Sequence, residues 1–333
     1  MSSIMTNASA LTALQSLNTT NKALNTTQAR ISTGFRVAEA SDNAAYWSIA
    51  TTMRSDNRAL STVQDALGLG ASKVDTAYTA MHKSIDTLND IKVKLVAAAN
   101  GSDADKNKID VEIKALQAQL KSYADSASFS GANWLSVNST TAAGHSAAGV
   151  HNDAKIVSGF IRDNSGTVTL ATIDIKVQSV KLYDAAATNN VNKGILEGLR
   201  LGTTGVRDNT AVNPTTPGAA VAATDGYAVA TLSVKGFSFD QILQMVKVTE
   251  TTLAEMTDAA TTLGAAKSQI DLQKTFTTSL MDSIDRGVGQ LVDADMNKES
   301  TRLQALQVQQ QLGIQALSIA NSNSQNILSL FKS

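Results

Sequence analysis

Apolar residues recur along most of this chain at alternating spacings of four and three. In the longest run, Ile49, Met53, Asp56, Leu60, Val63, Leu67, Gly70, Val74, Ala77, Met81, Ser84, Leu88, Ile91, Leu95 and Ala98 make one seam, and only Asp56, Gly70 and Ser84 on it are not apolar. That period predicts a helix with coiled-coil packing over residues 44–99, about 80 Å long at 1.5 Å per residue. Asn100-Gly101 stops it, and Ser41 or Asp42 is placed to cap its start. Asp103 is placed to cap a third helix with the seam Ile109, Ile113, Leu116, Leu120, Tyr123 and Ala127. A second long seam starts near Phe239 and runs through Ile242, Val246, Thr249, Leu253, Met256, Ala260, Leu263, Lys267, Ile270, Lys274, Thr277, Met281, Ile284 and Val288 to Leu291.

The two ends carry the helical period almost without charge. Residues 4–33 read as one helix with the seam Ala10, Leu14, Leu17, Asn21, Leu24, Gln28 and Ile31, closed by Gly34, and Lys22 is the single charged side chain up to Ala29. From Leu303 to Phe331 there is no Asp, Glu, Lys or Arg. A helix standing alone in water normally carries charges on its outer face. Both ends are therefore expected to be enclosed, with other copies of the chain as the nearest enclosure. The residues expected to be buried by assembly are Leu14, Leu17, Leu24 and Ile31 at one end. At the other they are Leu312, Leu317, Ile319, Ile327, Leu328, Leu330 and Phe331. Arg30, Gly34 and Asp42 belong to the polar connector that follows the first helix.

Between the long seams the period changes. Phe129 to Lys235 is rich in Ser, Thr, Gly, Asn and β-branched residues. Ile156–Ile161, a turn at residues 163–166 and Val168–Val177 predict a β-hairpin. Residues 184–226 hold both prolines and read as loops, and Tyr227–Val234 as a further strand. The expected fold is mainly α with a β-rich outer part. Long antiparallel coiled-coil helices come from both ends of the chain, with a β-hairpin and a small variable outer domain in the middle. The expected domains are a terminal coiled-coil core (1–43 and 288–333), a helical domain with the hairpin (44–177 and 236–287) and a surface-exposed variable domain (178–235).

Composition narrows the function. Net charge is −1, which argues for neither nucleic acid nor an anionic membrane as partner. Charged residues are 17%, against roughly 25% in average soluble proteins, and aromatics are only 4%, too few for large aromatic-lined ligand pockets. There is no cysteine, which excludes disulfides and thiol chemistry and suits a protein that folds outside the cell without redox help. The N-terminus lacks the basic-then-apolar pattern of a Sec signal, and no stretch approaches the roughly 18 apolar residues of a membrane span. His145 and His151 lie in a Gly- and Ala-rich loop and read as solvated, and His82 stands apart in the long helical seam. Gly68-Leu69-Gly70 reads as close helix packing or local flexibility, and Asp293 and Asp295 as helix caps rather than an acid–base pair. No catalytic, cofactor-binding or metal residues are expected, and no enzyme.

The ends also resemble a known family. Arg30 to Ala50, RISTGFRVAEASDNAAYWSIA, is similar to the turn-and-loop motif of bacterial flagellins, and Gly313 to Phe331, GIQALSIANSNSQNILSLF, to their C-terminus. Tyr46-Trp47 and Asn133-Trp134-Leu135 resemble flagellins of soil α-proteobacteria. The resemblance covers roughly residues 1–135 and 236–333. It implies an extracellular subunit of the flagellar filament, exported unfolded without a cleaved signal. Its partners would be other flagellin subunits in a homo- or hetero-polymer, the flagellar export apparatus, an export chaperone and a filament cap. Within the family many members carry an Arg-Glu-Leu-like triplet late in the first long helix that an animal innate receptor recognises. Asp90 or Lys92, Val93 and Lys94 stand there, which implies weak or absent activation. The competing readings are a hook–filament junction protein, which shares similar ends, and, from another class, a secreted helical effector or translocator.

Overall fold

The structure is a computed structural model that describes residues 7–141, 145–163, 165–214, 217–218 and 220–330, the stretch 323–330 by its backbone alone. The chain divides into two compact units, Met1–Ala59 with Leu280–Ser333, and Leu60–Ser279.

In the first unit, α1 (Ala8–Thr33) pairs with the last helix, α6 (Met296–Leu330). Asn7 caps α1 by accepting the Ala10 N–H at 3.0 Å. Gly34 ends it at φ 76°, the left-handed conformation that glycine adopts without steric cost, and donates its N–H to the Arg30 carbonyl. The connector then lies against residues 291–294. Val37 N donates to Val292 O at 3.2 Å, Ala294 N to Gly34 O at 2.8 Å, and Phe35 bridges to Asp293. Val37, Ala50, Val288 and Val292 close a small core there. The start of α2 (Ala44–Ala99) is capped by Asn43, whose Oδ1 accepts from Tyr46 N at 3.1 Å, and not by Ser41 or Asp42. Asp42 instead ties its own loop, accepting the N–H groups of Ala38 and Glu39. Asp295 caps α6, accepting from Asn297 N and Lys298 N.

In the second unit the long helices run antiparallel. Gln64 meets Thr278, Asp75 pairs with Lys267, and Lys92 pairs with Glu250, so each step along α2 is a step back along α5 (Phe239–Val292). The predicted seam from Leu60 to Ala98 is buried at every position. The third helix, α3 (Asp103–Ser126), is capped by Ser102 rather than Asp103, and buries Ile113, Leu120 and Ala124 in the same core.

The β structure is sparse. A tight hairpin joins β1 (Ser128–Phe129) to β2 (Ala132–Asn133) through Ser130 and Gly131, both at positive φ as a two-residue turn of this kind requires. β3 (Ser136–Val137) is a short strand that joins a parallel partner further on. The main hairpin pairs β4 (Ala154–Arg162) with β5 (Val168–Ile175), with a bulge between Val157 and Gly159. Its second strand stops before Val177, because Val177–Val180 form the one-turn helix α4. β3's partner is β6 (Tyr183–Asp184), and β7 (Arg200–Leu201) pairs with β8 (Gly226–Tyr227). The strand expected over Tyr227–Val234 is only β8 followed by a 3-10 turn at Val229–Thr231. Two long-range anchors explain this. Gln117 Nε2 donates to the carbonyls of Val229 and Leu232, and the Asp110 carboxylate accepts from Val234 N and the Ser233 hydroxyl. The backbone groups are satisfied by α3 side chains, so no ladder forms.

Candidate assembly site

The α1–α6 pair is built from residues of alternating phase. Asn7 Nδ2 donates to Ala320 O at 2.9 Å, Leu17 faces Gly313, Asn21 Oδ1 accepts from Gln310 Nε2 at 2.8 Å, and Arg30 Nη1 meets Glu299 Oε1 at 3.3 Å. As α1 advances, its partners retreat along α6, so the two helices are antiparallel. The Asn21–Gln310 amide pair lies between the central turns of the two helices, and an amide in a helix seam fixes register at some cost in stability. Gly313 leaves room for Leu17. A Cβ there would lie 3.1 Å from Leu17 Cδ1.

The sequence-predicted residues divide in two. Leu24 is buried, and Leu17, Ile31 and Leu317 are half-buried between the two helices. Leu14 is 45% exposed, Leu312 58% and Ile319 62%. Arg30 is half-buried and paired, Gly34 holds its positive φ, and Asp42 ties the connector loop. The side chains of Ile327, Leu328 and Leu330, and all of Phe331, lie outside the described residues.

Two corrections follow in the seam. Thr27, 1% exposed, takes the buried place expected for Gln28, which is exposed. On α2, Ala50 is buried where Ile49 was expected, and Ile49 faces out. The two shifts run in opposite directions, so local packing sets them, and Ala50 is buried because it closes the small core with Val37, Val288 and Val292.

Of the α6 face that meets α1, sequence reasoning found only Leu317. Glu299, Leu303, Leu306, Gln310, Gly313, Leu317 and Ala320 alternate four and three, and all are at least half-buried. The period that marks the other helices marks these too, but two polar residues, Glu299 and Gln310, and one glycine, Gly313, obscure it. Glu299 is the oddity, since its side chain is nearly buried and Oε2 lacks a hydrogen-bond partner while Oε1 holds Arg30.

On the rest of the pair's surface large apolar residues stand exposed among uncharged polar ones. Leu11, Leu14, Ile314 and Leu317 line an open groove of about 780 Å³ between the helices. Val308, Leu312 and Ile319 stand exposed on α6. Exposed large apolar residues in such density mark an interaction surface. No helix among the described residues is long and apolar enough to cross a membrane, and these residues hold no cluster of three potential metal-ligating side chains.

The chain matches known proteins over its whole length. The bacterial flagellin N-terminal helical region matches residues 4–140, and the bacterial flagellin C-terminal helical region residues 246–331. Flagellin C of Rhizobium meliloti (strain 1021) is 48% identical, with both chains covered in full. Flagellin of Brucella melitensis biotype 1 is 47% identical, again over the full length of both. Flagellin A of Rhizobium meliloti (strain 1021) is 43% identical on the same terms. The two matched helical regions hold both halves of the terminal pair and most of both long helices. The chain belongs to the bacterial flagellin family, and it is a structural subunit that polymerises with other flagellin subunits into the flagellar filament.

Proposed function

We propose that the α1–α6 pair is the part of the subunit that neighbouring subunits complete. Leu14, Leu312, Ile319 and the terminal residues Ile327, Leu328, Leu330 and Phe331 are buried on assembly, together with Leu17, Leu24, Ile31 and Leu317. The observation that carries this reading is the exposed apolar surface of a nearly uncharged helix pair. Burying a large side chain contributes about 1.5–3 kcal/mol, set against the entropy of ordering marginal helices. Residues 1–43 and 288–333 are the inner core in this reading, 44–177 and 236–287 the next shell, and 178–235 the solvent-facing part. A heterologous contact that does not close on itself generates the filament.

The subunit reaches that place outside the cell unfolded, without a cleaved signal, through the flagellar export apparatus. An export chaperone holds the apolar ends on the way, and a filament cap directs their folding at the tip. The absence of cysteine supports this route, since refolding outside needs no redox partner. So does the preponderance of helix, whose local contacts form quickly. The subunit's role is structural, with no catalytic, cofactor or metal residues assigned.

Deleting residues 303–333 tests the reading. The truncated chain is expected to keep its long helices by circular dichroism and to stay monomeric when seeded. Normal filaments from it would overturn the assignment.

A further inference from the structure

Asn100-Gly101, where α2 ends, is the one Asn-Gly pair in the chain. Asn100 stands exposed in the turn between α2 and α3, and its side-chain amide makes no hydrogen bond among the described residues. Gly101 donates its N–H to the Ala98 carbonyl at 3.2 Å, a bond that tightens the end of the helix. The glycine places no side chain between its own nitrogen and the Asn100 amide carbon, and its backbone reaches conformations that other residues resist. Asparagine is itself one of the thermolabile side chains.

A chemically comparable pair elsewhere in the chain is locked by the fold. At Asp225-Gly226 the Gly226 N–H donates to the Val212 carbonyl at 2.8 Å, and Gly226 is buried and paired with Leu201 between β7 and β8. Asp225 is tied as well, its carboxylate accepting from Ala222 N at 2.9 Å and its carbonyl from Gly202 N at 2.8 Å. Nothing of that kind holds Asn100 among the described residues. The charge near its turn is one-sided, since α2 has no basic residue in its last turn and α3 begins with Asp103 and Asp105. The residues that follow carry structure. Ser102 Oγ accepts from Asp105 N at 3.3 Å to cap α3, and Lys106 Nζ donates to the Phe237 carbonyl at 2.9 Å, tying α3 to the chain that enters α5.

We propose that Asn100 is a self-modification site, converted with time to aspartate and isoaspartate by attack of the Gly101 nitrogen, and that the conversion loosens the α2–α3 turn. The Gly101 nitrogen bonds to Asn100 Cγ and closes a succinimide ring as the Cγ–Nδ2 bond breaks. The proton of the Gly101 N–H leaves with Nδ2 as ammonia. Water then opens the ring at either carbonyl. Attack at Cγ restores the original chain path with an aspartate. Attack at the main-chain carbonyl leaves the chain running through the side chain, as isoaspartate. The sequence consumes one water and releases one ammonia, with no oxidant, reductant or enzyme. Either product puts a carboxylate at the carbonyl end of α2, where the helix dipole disfavours it, and adds it to the acidic run of Asp103 and Asp105. The isoaspartate also lengthens the backbone just ahead of the Ser102 cap. Both effects act on the first turn of α3 and on its Lys106 tie. The inference is independent of how the terminal helices assemble.

Incubating the full-length monomeric chain in mildly alkaline buffer, with peptide mapping by mass spectrometry over time, tests it. The peptide holding Asn100 is expected to gain the mass of an amide-to-acid change at least about tenfold faster than that of any other asparagine. It should do so as two products that separate on chromatography, while Asp225 stays unisomerised. Gly101→Ala is expected to fold normally, because a Cβ there would meet Ala98 O and Asp105 Cβ at 3.5 Å, an ordinary contact. With an unchanged circular dichroism spectrum, it is expected to slow the conversion by about tenfold or more. Converted chain, separated from fresh chain by its charge, is expected to lose about tenfold in hydrogen-exchange protection over residues 103–109. An Asn100 that keeps its amide as long as the other asparagines would overturn the proposal, as would a conversion rate indifferent to Gly101→Ala. Equal protection of fresh and converted chain would overturn the loosening.

Discussion

Leu17 of α1 packs directly over Gly313 of α6, so closely that a Cβ on Gly313 would lie 3.1 Å from Leu17 Cδ1. The contact sits four residues from the Asn21–Gln310 amide pair on α1 and three on α6, and the two together set how closely and in what register the terminal helices meet. The neighbour is the flexible tip of a leucine, so one methyl can be absorbed. Gly313→Ala is expected to leave assembly intact and to gain up to about 1 kcal/mol of helix stability. Gly313→Leu is expected to force the helices apart and to slow or abolish seeded polymerisation. Light scattering of the two variants with common seeds checks both.

Gly70 does comparable work in the second unit, against a stiffer neighbour. A Cβ there would lie 2.5 Å from Ile156 Cγ2, on a β-branched side chain of the hairpin. Gly70→Ala is expected to destabilise the hairpin's docking on α2 by about 1–3 kcal/mol, against the helix propensity it gains. Adding Ile156→Ala should recover part of that loss. Urea melts of the single and double variants read this coupling, and independent, additive effects would contradict it.

The Asp110 anchor predicts an acid-sensitive attachment of the 229–234 segment to α3. Burial raises the Asp110 pKa, but hydrogen bonds from Lys114, the Ser233 hydroxyl and Val234 N outweigh it, so the carboxyl lies below its ordinary value. A carboxyl depressed in the fold stabilises above its unfolded value, about 3.9, and loses that contribution as pH falls through the folded one. Asp110→Ala leaves the buried Val234 N–H without its acceptor and is expected to cost about 1–3 kcal/mol near neutral pH. The gap between native and variant should narrow below about pH 4. Denaturant melts at pH 7 and pH 3.5 measure it, and a constant gap would count against the anchor.

How much of this was legible in the sequence depended on whether a feature repeats. The Leu60–Ala98 seam was readable because a twelve-position pattern tolerates Gly70 and Ser84 within it. At Ile49/Ala50 and Gln28/Thr27 the phase slipped, because two neighbouring residues were each compatible with the period and only packing chose between them. The α6 face was hidden by Glu299, Gln310 and Gly313, residues that read as polar or as breaks until their partners Arg30, Asn21 and Leu17 stand opposite. Nothing periodic marked the middle of the chain. Arg200 and Arg207 both pair with Glu255, which lies some fifty residues away on α5, and Lys181 is buried with Asp184. Such pairs are set by tertiary proximity and leave no local pattern. The loop histidines read as solvated for the same reason, yet the fold stacks them.

In the proposed assembly, other subunits complete the outward face of the terminal helix pair. Leu312 and Ile319 stand on that face, exposed in the single chain. Leu312→Asp and Ile319→Asp therefore add charge where the monomer meets water and where the polymer has no partner for it. Electron microscopy of the double variant after seeding, beside circular dichroism of the same sample, reads whether that face is buried. Native helical content and no filaments are expected. Filaments of normal length and number from a chain carrying both charges would show that the face stays in water.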